Sequence, residues 1–97
     1  MIPERFGDVV QSLATRDPGL TIYTATTRPL SEDSPAVVVM EGEPIPANLA
    51  YLLEVSLAAE VLEVWSDWRA GRAPSPSEAV AAVEWYADHD AYLPVDE

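Results

Sequence analysis

Glu60, Glu63 and Asp67 recur at i, i+3 and i+7 in a stretch of helical periodicity, so their three carboxylates stack on one line of a helix surface. Like charges at this spacing destabilise a helix by roughly 0.2–0.5 kcal/mol per pair, which selection for stability alone would tend to remove. Beside large aromatic residues, such a line suits electrostatic steering onto a basic protein surface; it is also what an ordinary solvated helix face looks like. Other chemistry finds less material. Asp88-His89-Asp90, with Glu84 one turn earlier, is the cluster with metal or acid-base character. One histidine and no cysteine leave a transition-metal site short of ligands, and the spaced, glycine-containing pattern of a calcium loop is missing. No metal is therefore expected, and local hydrogen bonding at a helix end is the expected role of His89. There is no glycine-rich phosphate loop, no G-x-S-x-G, no H-E-x-x-H and no cysteine nucleophile, so neither an enzyme nor a cofactor is expected.

Charge points the same way as the carboxylate line. Seventeen acidic residues face five basic ones, a net of -12, and their placement is uneven. In the 37 residues from Glu32 to Trp68 stand Glu32, Asp33, Glu41, Glu43, Glu54, Glu60, Glu63 and Asp67, with no base among them. The stretch before it is balanced, Glu4, Asp8 and Asp17 against Arg5, Arg16 and Arg28, and the stretch after it is again acidic. This potential repels phosphate backbones and anionic lipid, so neither nucleic acid nor membrane is expected as a partner, and a basic protein is favoured. The absence of lysine and the fourteen alanines also fit a bias of base composition, with acids that only maintain solubility.

The elements that must position these residues are short, because nine prolines punctuate the chain. A length of 97 residues and 48% hydrophobic content fit one domain over residues 1–97, and without cysteine no disulfide framework is available. The opening residues lack a basic region followed by an apolar run, which predicts a cytoplasmic chain. Phe6, Val9, Val10 and Leu13 predict a helix from about Pro3 to Ala14, interrupted in quality by Gly7. Asp17-Pro18-Gly19 is a turn; Leu20–Thr27 and Ala36–Met40 read as strands, with loops over Arg28–Pro35 and Glu41–Pro46.

Asn48–Trp68 does not fit one long helix, since Leu52 and Val55 fall away from the stripe of Leu53, Leu57, Val61, Val64, Trp65 and Trp68. The better division is a strand over Ala50–Val55, Ser56 as N-cap, and a helix from Leu57 to about Ala70 closed by Gly71, with Arg69 and Arg72 at its C-terminus. Ser75-Pro76-Ser77-Glu78 opens the last helix with a capping box and a proline in the first turn. Together these predict an α+β fold: a small two- or three-stranded sheet packed with three helices on one side.

Of three tryptophans, Trp65 and Trp68 lie on the predicted core stripe, whereas Trp85 is displaced from the Val80, Val83, Ala87 side and is the better anchor for a partner. Tyr51 to Ser56, the acidic helix after it, the Ser75–Glu78 start and the closing Glu84-Trp85-Tyr86-Ala87-Asp88-His89-Asp90-Ala91-Tyr92-Leu93 resemble the C-terminal half of a group of small bacterial domains. Some of these are similar to immunity proteins encoded beside polymorphic toxins. The resemblance implies a stoichiometric inhibitor that occludes the basic active-site surface of a cognate toxin. The residues expected at that contact are Glu54, Glu60, Glu63, Asp67, Glu84, Trp85, Asp88 and Tyr92, with Tyr86 as a further anchor. The alternative is a self-associating structural or regulatory module in which the same aromatics form the interface of a homodimer.

Overall fold

In the computed structural model, which describes residues 3–27, 29–40 and 42–95, the chain forms a four-stranded antiparallel sheet with three helices against one face. Arg28 and Glu41, the first residues of the two expected loops, lie outside the described residues. The order along the chain is β1 (Glu4–Arg5), α1 (Phe6–Gln11), a 3-10 turn at Leu13–Thr15, β2 (Thr21–Ala25), β3 (Pro35–Val39), β4 (Leu49–Glu54), α2 (Val55–Asp67) and α3 (Pro76–His89). In space the strands run β1-β3-β2-β4. The α+β class is as the sequence predicts; the sheet has one strand more, because β1 is only two residues long and carries no alternation to read. It exists by pairing Glu4 with Ala36 and Arg5 with Pro35.

Two clusters fill the interior. Phe6, Val9, Val10 and Leu13 pack with Ile22, Leu52 and Leu53 of the sheet and with Val55, Ala58, Val61, Trp65, Val80 and Val83 of the longer helices. On the other sheet face, Val37, Val39 and Leu49 are covered by Tyr23 and by Ile45 from the loop before β4. Leu52 and Leu53 are consecutive, yet both are buried in the helix-side cluster. Ile22 stands opposite Leu53 and Tyr23 opposite Tyr51, so the register shifts and Leu52 is the extra residue of a bulge. That bulge is why Leu52 fits neither a simple alternation nor the helical stripe.

The first two helices start where local capping rules do not place them. α2 begins at Val55, so Ser56 is inside the helix, and its N-cap Glu54 makes no side-chain cap. The amides of Val55 and Ser56 instead donate to the carbonyls of Leu20 (2.9 Å) and Pro18 (3.3 Å), so the turn before β2 takes over the capping. α1 follows the same principle: the amides of Phe6 and Gly7 donate to Ser34 O (2.7 Å) and Glu32 O (2.9 Å). It ends at Gln11, three residues before the expected Ala14, as Ser12 Oγ turns back to the carbonyls of Asp8 (2.9 Å) and Val9 (3.2 Å) and competes with the helical ladder. At the end of α2 both Ala70 and Gly71 are left-handed, and Gly71 N donates to Ser66 O at 2.8 Å.

Gly7 lies where the loop after β2 crosses the start of α1. A Cβ there would stand 2.8 Å from Glu32 Cβ and 3.1 Å from Glu32 Cα, and the latter is backbone that cannot swing aside. Helix propensity alone favours Gly7→Ala by about 1 kcal/mol, whereas overpacking costs typically 1–3 kcal/mol. Gly7→Ala is therefore expected to lower stability by roughly 1 kcal/mol in chemical denaturation, and an increase would show that the loop yields freely.

α3 starts as the sequence predicts. Ser75 Oγ accepts from Glu78 N (3.3 Å), the Glu78 carboxylate accepts from Ser75 N (2.9 Å), and Arg72 closes the motif with two contacts of 3.1 and 3.0 Å to that carboxylate. The hydrogen bond from Arg72, with that from the Ser75 amide, lowers the Glu78 pKa to about 2 from an ordinary 4.5. The folded state thus binds this proton less readily than the unfolded chain. The stabilisation is complete above about 4.5 and is lost as pH falls toward 2. Glu78→Gln is expected to remove this part of the acid dependence of unfolding, leaving a flatter profile across the same window.

Candidate functional site: an acidic ridge between an aromatic flank and an apolar groove

α2 turns Val55, Ala58, Val61 and Trp65 to the core, and at 100° per residue this sends Glu60, Glu63 and Asp67 to the opposite side, where all three are exposed. The described arginines are engaged elsewhere. Arg5 bonds Asp33 at 2.6 Å, Arg16 bonds Glu4 at 2.6 Å, Arg72 bonds Glu78 at 3.0 Å, and Arg69 donates to the carbonyls of Trp65 (3.0 Å) and Pro94 (3.1 Å). Among the described residues, none forms an ion pair with Glu60, Glu63 or Asp67, and the ridge faces solvent with its charge uncompensated by them.

Its two flanks are apolar. On one side Trp68 meets Tyr92 edge-on at 5.8 Å and 76°, and Tyr92 meets Tyr86 at 5.2 Å. Burial, together with the Glu60 carboxylate nearby, raises the Tyr92 phenol pKa. On the other side a groove of about 770 Å3 runs between α2 and the α1 region, with Glu63 and Asp67 among its lining residues.

The expected contact residues do not form one surface. Glu60, Glu63 and Asp67 share one exposed line of α2, and Tyr92 lies near its Glu60 end. Glu54 pairs across the sheet with Thr21 on the face away from the helices, where it accepts from the Tyr51 hydroxyl; this hydrogen bond, then partial burial, pushes the Tyr51 pKa up to about 12. The half-buried Glu84 accepts from the backbone amide of Leu30, which ties the loop after β2 to α3. Trp85 is half-buried and stacks on His89 at 3.8 Å and 11°, lining a separate cleft with Arg69 and Arg72, while Asp88 is exposed near the end of α3. His89 Nδ1 lies 3.0 Å from Trp85 O, the local helix-end bond expected of it. Among the described residues, no three His, Asp or Glu side chains converge as a metal site would require.

Trp65 and Trp68, paired on the predicted stripe, part company. Trp65 is 4% exposed beneath Arg69 and Arg72, whereas Trp68 is 50% exposed. The reason is that α2 ends at Asp67: Trp68 is its C-cap, one turn past the last core position, with Tyr92 at its edge. The groove had no signal in the chain, because it is made by residues far apart in sequence. Compared with family models, curated proteins and solved structures, the chain matches none of them.

Proposed function

We propose that this chain is a non-catalytic inhibitor of the immunity type, which binds a cognate bacterial toxin one to one in the cytoplasm and occludes its basic active-site surface. The observation that carries the proposal is the exposed line of Glu60, Glu63 and Asp67, free of ion pairs among the described residues and flanked by Trp68 and Tyr92. Carboxylates in this setting accelerate encounter with a cationic surface, and aromatic side chains beside them hold the complex once formed. Retaining like charges on a helix face where neutral residues would stabilise the fold is consistent with selection for contact.

The test is co-expression of the chain with the product of the neighbouring reading frame, followed by measurement of stoichiometry and of association rate against ionic strength. A one-to-one complex whose association slows steeply as salt rises supports the proposal. An association rate indifferent to salt, or no complex, counts against it. A stable homodimer that shields Trp68 or Trp85 in sedimentation and fluorescence quenching would favour the self-associating module instead.

A further inference from the structure

The groove beside the ridge deepens the inhibitor reading, and the role assigned to the groove rests on that reading. Its floor is apolar: Leu13 and Ala14 from the 3-10 turn face Ala59 and Leu62 of α2, and one lip carries Glu63 and Asp67. Ala14 is exposed and Ala59 half-buried, so small side chains line the opening between the 3-10 turn and α2. From Ala59 to Asp67 the groove follows α2 for about 12 Å, the length of roughly two helical turns. Glu63 and Asp67 are four residues apart, which spaces their carboxylates by roughly one helical pitch of 5.4 Å.

These dimensions select an occupant. A purely apolar ligand in this groove would draw two carboxylates out of water without compensation, and an anionic one would be repelled outright. A second copy of the chain is opposed by the net charge of -12. An amphipathic helix with cations along one border of its apolar stripe satisfies both surfaces at once: large aliphatic side chains fill the floor, and Lys or Arg at i and i+4 reach Glu63 and Asp67. We infer that the groove between α1 and α2 is the docking site for a basic amphipathic helix of the partner, with Glu63 and Asp67 reading its cations and Leu13, Ala14, Ala59 and Leu62 receiving its apolar side chains.

The probe is a synthetic leucine–lysine amphipathic peptide of ~14 residues, long enough to form helix on the surface. It is compared with a peptide of equal charge in which the leucines are replaced by glutamine. The amphipathic peptide is expected to bind at least about tenfold more tightly than its glutamine counterpart. Its methyl-resolved perturbations should fall on Leu13 and Leu62, and the double substitution Glu63→Gln with Asp67→Asn should weaken it about tenfold and flatten its salt dependence. Ala59→Phe, which occupies the floor, should weaken the amphipathic peptide and leave the glutamine peptide unchanged; the methyl perturbations of the unaltered chain give the same answer if that variant folds poorly. Equal, salt-dependent binding of both peptides, or perturbations centred on Trp68 and Tyr92, would overturn the groove while leaving the acidic ridge as a docking surface. Absence of binding by either peptide would overturn the groove and remove the support the ridge lends to the inhibitor reading.

Discussion

Replacing Glu60 and Glu63 by Gln and Asp67 by Asn is expected to make the chain more stable and its association slower. The two like-charge pairs in this line each destabilise α2 by roughly 0.2–0.5 kcal/mol, so their removal should add up to about 1 kcal/mol. In a domain of this size that raises the melting temperature by roughly 2–8 °C. On the inhibitor reading proposed above, encounter with a cationic partner should fall about tenfold or more at low ionic strength, because the steering field is lost while the apolar contacts remain. Opposite signs in the two measurements would identify the ridge as a surface kept for contact at the expense of stability. A variant that gains stability and associates at the original rate would show that these carboxylates serve only solubility.

Trp65→Ala is expected to lower stability by about 3–5 kcal/mol, a large share of the 5–15 kcal/mol typical of a domain. The indole is 4% exposed and belongs to the helix-side cluster, and the guanidinium carbons of Arg69 and Arg72 lie 4.4 and 4.7 Å from its ring centroid. Both guanidinium groups are attracted to the face of the ring by its quadrupole. Arg69 also donates to Leu93 O (3.5 Å) and Pro94 O (3.1 Å), so the platform that orients it holds the segment after α3. The loss should extend beyond the cavity. Amide exchange in residues 91–95 should accelerate with Trp65→Ala and change less with Trp65→Phe, which retains a ring beneath the arginines. A loss under about 1 kcal/mol in urea would mean that the aromatic platform contributes little beyond ordinary surface packing.

The start of α3 was legible because its cap is local. Ser75 and Glu78 satisfy each other's backbone amides within four residues, with Pro76 set in the first turn, so residue types in order are enough to find it. The apolar faces were legible for a related reason. Val9, Val10, Val61, Val80 and Val83 sit at helical spacing, and the run Val37-Val38-Val39 is apolar throughout because β3 has a cluster on each side. The acidic line of α2 was equally readable, since helical period alone aligns Glu60, Glu63 and Asp67.

What eluded the sequence depends on atoms brought together from a distance. The starts of α1 and α2 are capped by carbonyls of Ser34, Glu32, Leu20 and Pro18, and no side chain beside those starts announces them. β1 forms only because β3 is there to pair with it, and Leu52 is placed by a register shift against β2. The exposure of Trp68, the inward commitment of Glu84 to Leu30, and the groove between α1 and α2 follow from where helices end and which loops cross them. Short-range hydrogen bonds and side-chain period are encoded in neighbouring residues, so composition and spacing establish an acidic α+β chain with a charged helix face. Which carboxylates are consumed within the fold, and which apolar surfaces stay open beside the rest, is set by long-range packing, because that is where backbone donors and buried area find their partners.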